Sequence, residues 1–256
     1  MFKFLPVLRL ICFSALAKNQ EIILTEDNSV VFNQQVTEEY TSKKILEIMK
    51  KAKKGIPLYL VLDTPGGSVS AGLAFVDSIK SLKVRVHTVT IFAASMGYQF
   101  VQELGTRYIT ASGTLMSHRG AVGGLSGQVP GELNSRLNHI QAILSGMSSR
   151  AAARIGMDKK AYEQAIINEL WISGQDAVSA KHADALANVS CDKGLTDGVY
   201  VENFNTLFGK VSVEFSKCPL VSAPLGFSFA KEFKPDQIMT VKRLIETKKR
   251  SINLTF

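Results

Sequence analysis

Charged residues are 20% of the 256-residue chain, histidine occurs four times, cysteine three times and tryptophan once. With 46% apolar residues, so modest a charge content excludes a disordered chain and leaves ample material for a core. No heptad pattern, internal repeat or low-complexity tract runs through the sequence, which excludes a coiled coil and a solenoid. No glycine-rich ATP-binding loop is present. The formal net charge is +8, yet no stripe interleaves basic and aromatic residues, so nucleic acid is not an expected partner. The clusters KKAKK (50–54) and KKR (248–250) read as lysines complementing helix ends. No cofactor and no metal site is expected. The length fits one large domain, or one domain with a tail.

What is present begins with MFKFLPVLRLICFSALAKNQ. Lys3 forms a short basic region, and residues 4–16 are apolar apart from Arg9 and Ser14. Ala15-Leu16-Ala17 then has the small-x-small form of a cleavage site. The segment reads as a secretory signal peptide, residues 1–17; the alternative is an N-terminal core segment. It is too short and interrupted for a membrane span. Cleavage removes Lys3, Arg9 and Cys12, leaving Cys191 and Cys218, an even pair that suits a disulfide in an exported chain. The expected location is therefore the periplasm or the exterior, and the cytoplasm if the signal is not one.

The middle of the chain alternates between two hydrophobic periods. The strands expected are SVVFNQQV (29–36), PLYLVLD (57–63), which is apolar enough to be buried on both faces, and VRVHTVTIF (84–92). RYITA and TLMSH read as two short strands around a Ser112-Gly113 turn. Helices are expected after residue 37, over 68–83, 95–105 and 130–156, and over 158–169. Ser173 and Asp176 form a capping-box pattern. Strands alternating with helices predict an α/β fold with a mostly parallel sheet. Past residue 200 the pattern loosens; GKVSVEF reads as a strand, DQIMTVKRLIETKKR as a terminal helix, and 201–256 as an extension of unknown role.

Two strand-to-helix turns carry the chemistry. DTPGGSV (63–69) ends a buried strand on two glycines that let backbone N–H groups face a cavity. AASMG (93–97) puts Ser95 where the next strand meets a helix, among small residues. Strand C-termini are where sites form in open α/β sheets. Ser95 is either a helix N-cap or a nucleophile with the following amides beside it.

PGGSVSAG, AASMG and LMSHRG, in this order, resemble the ClpP serine peptidase family of the ClpP/crotonase superfamily. The resemblance runs from about Val30 to Val189 and includes WISGQDAV. It implies a spiral of ββα units over residues 18–200 and a serine endopeptidase working by a Ser-His-acid mechanism. Ser95 matches the nucleophile and His118 the general base. The amides of Gly67 and Met96 match the oxyanion hole. The family aspartate falls at Glu169, two residues before Trp171; Asp158, Asp176 and Asp184 are the other acids nearby. The stretch RGAVGGLSGQV (119–129), with Gly120, Gly123 and Gly124, resembles the family's substrate-binding strand, or is a plain loop. The resemblance implies peptides or unfolded proteins as substrates and a ring-like homo-oligomer, and leaves an ATPase partner open. Ile167 and Asn168 stand where many members carry an Asp-Arg pair tied to ring assembly. Two further readings are a Ser-Lys protease like the signal peptide peptidases, which His118 in register disfavours, and a non-catalytic crotonase-like assembly module.

Overall fold

A computed structural model describes residues 19–230 and 233–254, with side chains up to residue 245; residues 1–17 and Cys12, the expected signal segment, lie outside it. The first half runs β1 (Gln20–Leu24), β2 (Ser29–Phe32), α1 (Glu38–Ala52), β3 (Leu58–Thr64), α2 (Val69–Ser81), β4 (Val86–Ala94), α3 (Met96–Glu103) and β5 (Arg107–Ser117). It continues with α4 (Gly131–Ile155), α5 (Lys159–Ala165), β6 (Leu170–Ser173), α6 (Gly174–Ser179), β7 (Ala185–Cys191) and α7 (Lys193–Thr196). The chain then forms β8 (Val199–Thr206), β9 (Gly209–Ser216), β10 (Pro224–Phe229) and α8 (Pro235–Leu254).

Six strands pair in parallel in the order β1-β7-β5-β4-β3-β2, and β6 adds antiparallel to β5. This is the mixed α/β, mostly parallel fold expected from the alternating periods. Strand period two explains how it packs. On β3, Leu58, Leu60 and Leu62 face the helices, whereas Tyr59 and Val61 face the opposite side. Under the helices, Phe32, Phe75 and Phe100 have centroids 5.0–5.5 Å apart and pin α2 and α3 to the sheet. Burying each ring contributes about 2–3 kcal/mol.

The other face of the sheet is covered by the segment after β7. Cys218 bonds Cys191 across a Cα separation of 5.8 Å, and packs with Val61, Val89, Ile22 and Leu24. The expected disulfide is therefore formed, and it fastens the tail to the sheet. Strands β8–β10 form a separate antiparallel sheet whose buried Val211, Val213 and Phe215 meet Val241 and Ile245 of α8. GKVSVEF is a strand, and the terminal helix exists.

Three local expectations fail. RYITA and TLMSH are one strand, β5, and the pairing with β4 slips between Thr90 and Phe92 instead of the chain turning at Ser112-Gly113. The helix expected over 158–169 stops at Ala165, because Ile166 to Asn168 turn the chain into β6. Ser173 caps nothing with its side chain; its hydroxyl pairs with Thr114 Oγ1 at 3.0 Å. No helix among the described residues is long and apolar enough to cross a membrane.

Candidate active site

β3, β4 and β5 are adjacent and parallel, so their C-terminal ends lie side by side. The first leads into Gly66-Gly67, the second into Ser95 and the third into His118. Three motifs spread over about fifty residues of sequence thus meet at one edge, where α/β sheets place their sites.

Ser95 joins β4 to α3 with φ 55° and ψ −115°. A non-glycine residue there is strained by about 1–3 kcal/mol. It makes no side-chain cap hydrogen bond, so the N-cap reading fails. Its N–H donates to the Met116 carbonyl at 2.9 Å, tying the turn to β5. Its Oγ lies 2.8 Å from His118 Nε2. A hydroxyl paired with an imidazole is the geometry in which a base can take the proton during attack.

The Gly66-Gly67 turn is packed directly against this elbow. A Cβ on Gly66 would sit 2.6 Å from the Ala94 carbonyl oxygen and 2.7 Å from Ser95 Cβ, and Gly66 has φ +88°. Gly67 forms a parallel bridge with Val36. That bridge uses the Gly66 carbonyl and the Ser68 N–H, so the Gly67 N–H itself points away from Val36. The Met96 N–H opens α3 immediately after Ser95, among the helix donors that lack an intrahelical acceptor.

Ser95 and His118 open onto a cleft of about 400 Å³. Val69, Leu144, Met147 and Ile166 supply apolar walls, and Gly120 lies on its rim. Arg119 and Glu163 also line it. Arg119 lies in the 119–129 stretch already singled out; Glu163 was missed, although it sits beside Tyr162 on α5, just before Ile166 at the end of that helix. Gly123 and Gly124 have open space around them and do not line the cleft. Residues 118–129 form no strand, so the expected substrate-binding strand is a loop here, without a ladder partner.

The strand that leads into His118 is braced from beneath. Ser117 Oγ lies 2.7 Å from Tyr162 OH, and Tyr98 OH lies 2.8 Å from His182 Nδ1. The Tyr98 and Tyr162 rings stack at 6.4 Å. Burial pushes both phenols up. Burial, followed by the charge of Arg107, pulls His182 down to about 4. His182 is therefore a neutral, packed residue. His87 is a half-buried acceptor for the Thr106 N–H, and its pKa is lowered by burial and by Arg85. His139 is exposed on α4.

The expected contact between Glu169 and His118 is not made. The β5–β6 ladder ends at Ser117–Leu170. Glu169 turns out of it with φ 63°, and its carboxylate accepts the Trp171 indole N–H at 3.0 Å. The other acids are engaged elsewhere or make no bond to this ring. Asp158 caps α5. Asp184 binds the buried Arg107, whose hydrogen bonds and charge outweigh burial and hold the carboxyl below its usual range. Asp176 makes no hydrogen bond to His118. Among the described residues no cluster of histidine, cysteine and carboxylate side chains is disposed to hold a metal ion.

The sequence pattern of the family described as "Clp protease" matches residues 12–188. A protein named ATP-dependent Clp protease proteolytic subunit 1 from Chlamydia muridarum is 30% identical over 199 residues, 74% of this chain and 96% of that relative. Its namesake from Chlamydia pneumoniae is 30% identical over 190 residues, 72% of this chain and 92% of the relative. An ATP-dependent Clp protease proteolytic subunit from Borrelia garinii is 31% identical over 132 residues, 50% and 67% of the two chains.

Proposed function

The chain belongs to the Clp protease family and is a ClpP-like serine peptidase; from that premise we propose that Ser95 is its nucleophile and His118 its general base. One observation carries the assignment: the 2.8 Å Ser95–His118 pair stands on a strained strand-to-helix turn that gives the serine no capping role. As Ser95 Oγ attacks a peptide carbonyl, His118 Nε2 takes its proton and then gives it to the leaving amine. Water repeats the sequence on the acyl-enzyme. The N–H groups of Gly67 and Met96 receive the oxyanion, and fixed donors of this kind contribute about 2.7–4 kcal/mol each when removed. Glu169 is the acid that orients and supports the imidazolium once its carboxylate reaches the ring.

The cleft's apolar walls favour an extended chain with an apolar side chain beside Ser95. The loop 119–129, with Gly120, Gly123 and Gly124, pairs with that chain as an added strand. Substrates are thus peptides and unfolded proteins. The relatives' names include a dependence on ATP, and this chain has no ATP-binding loop of its own. A separate ATPase is accordingly the partner if the protein acts in the cytoplasm. The Cys191–Cys218 bond supports the other location, an oxidising compartment after loss of residues 1–17, with a ring of identical subunits working alone on already unfolded chains. Of the tail, residues 201–256, the described part around Cys218 serves in either case as a cover for the sheet.

The test is a fluorophosphonate label with peptide turnover. Wild type should be labelled once, at Ser95. Ser95→Ala should keep its fold and lose both labelling and hydrolysis. Full activity in Ser95→Ala would overturn the assignment.

A further inference from the structure

The β5–β6 register pairs Met116 with Trp171 and Ser117 with Leu170. His118 and Glu169 are the next residues outward, just past the end of that ladder, one on each chain segment. Glu169 leaves the strand with φ 63°, and its carboxylate has turned to the Trp171 indole N–H. It is bonded to the indole at 3.0 Å. His118 makes one hydrogen bond among the described residues, through Nε2 to Ser95.

We propose that Trp171 is a positioning residue for the peptidase reaction: its indole N–H holds the Glu169 carboxylate off His118 in the resting enzyme and yields it as the imidazole becomes charged. The proposal rests on Ser95 and His118 acting as nucleophile and base. The exchange has a physical direction. Against a neutral imidazole, the indole competes as one neutral donor with another. Once His118 has taken the Ser95 proton, its Nδ1–H belongs to a cation, and a charge-assisted bond to carboxylate is about twice as strong as a neutral one. The carboxylate then moves to His118, and the bond broken at Trp171 is a cost added to the barrier. The left-handed backbone at Glu169, φ 63°, sits at the pivot of that movement.

Trp171→Phe keeps a ring against Phe92, 6.4 Å away by centroids, and deletes the donor. Its kcat should rise by about two- to tenfold, the value of one net hydrogen bond, with KM unchanged. With the carboxylate already beside the ring, the acidic limb of kcat/KM should move to higher pH. A purely structural role for Trp171 would move neither in that direction. Adding Glu169→Gln should cancel both effects. Trp171 is the only tryptophan in the sequence, which gives a second reading that needs no variant at position 171. Emission of the wild type should change when fluorophosphonate modifies Ser95, and should not change in Glu169→Gln. Complete labelling with unchanged emission would overturn the proposal, even if Trp171→Phe failed to fold. So would a folded Trp171→Phe enzyme with wild-type kcat and pH profile. Failure of the wild type to be labelled at all would overturn the Ser95 assignment first, and this proposal with it.

Discussion

Gly66→Ala tests whether the glycine turn and the serine elbow are one mechanical unit. The added Cβ would meet the Ala94 carbonyl oxygen at 2.6 Å, Ser95 Cβ at 2.7 Å and the Met96 nitrogen at 2.8 Å. The first is about 0.8 Å inside the 3.4 Å at which ordinary contact begins. All three atoms belong to the elbow, and two are backbone, so no flexible side chain can swing away. The φ of +88° adds strain of about 1–2 kcal/mol for a residue with a Cβ. Overpacking of this kind adds about 1–3 kcal/mol. Stability should therefore fall by about 2–5 kcal/mol, read as the denaturant midpoint. If the clash relaxes by moving the elbow a good fraction of an ångström, kcat/KM should fall about 10- to 100-fold, since a 1 Å misplacement costs about 100-fold. Gly131→Ala is the control, because a Cβ there meets nothing within 4 Å and its backbone φ is ordinary. A folded Gly66→Ala enzyme with wild-type kcat/KM would refute the coupling.

Two further outcomes are expected. Cys218→Ser opens a link across 27 residues of chain, which the chain-entropy account values at about 3–4 kcal/mol; equilibrium unfolding without reductant should show that loss, and an unchanged midpoint would count against it. His182 titrates at about 4 when folded against an ordinary value of 6.5, so below pH 6.5 the unfolded chain binds more protons and stability falls with pH. The loss should be complete near pH 4, at about 3 kcal/mol or less, and His182→Asn should flatten that part of the stability–pH curve.

The central sheet was legible because its strands are near-continuous apolar runs and its helices carry clean stripes. β3 shows how far that reading reaches. PLYLVLD was rightly read as buried on both faces, but nothing in it says what covers the second face. That cover comes from Cys218 and its neighbours, more than 150 residues away, and periodicity cannot see so distant a partner. β1, QEIIL, escaped notice because its alternation covers only Ile22 and Leu24, and its ladder partner β7 lies at the far end of the domain. The break at Ser112-Gly113 was misplaced for a related reason: small residues mark turns in isolation, yet pairing with β4 on one side and β6 on the other keeps β5 extended. At the site, Ser95, His118 and the two glycines came from motif order, and the structure brings them together. The place of the Glu169 carboxylate could not be read, because it follows from a left-handed backbone at Glu169 and a bond to the indole two residues on, neither of which the motif shows.

Ser95 shows why the residues around it are small. A serine at a helix start ordinarily stabilises the fold by about 1 kcal/mol through its cap bond. This one makes no cap bond and holds a backbone conformation that costs about 1–3 kcal/mol. On stability alone the position is a poor one for serine. The cost is met by what surrounds it: Ala93 and Ala94 are fully buried, the Gly66 turn fills the space beside them, and the Ser95 N–H is held by β5. Those contacts fix the turn from two neighbouring strands, so the strain cannot relax. The same two strands deliver the glycine amide and the imidazole. The features that force the serine into an unfavourable conformation are thus the ones that bring its hydroxyl to the His118 imidazole and set the glycine turn beside it, the arrangement that the proposed reaction needs.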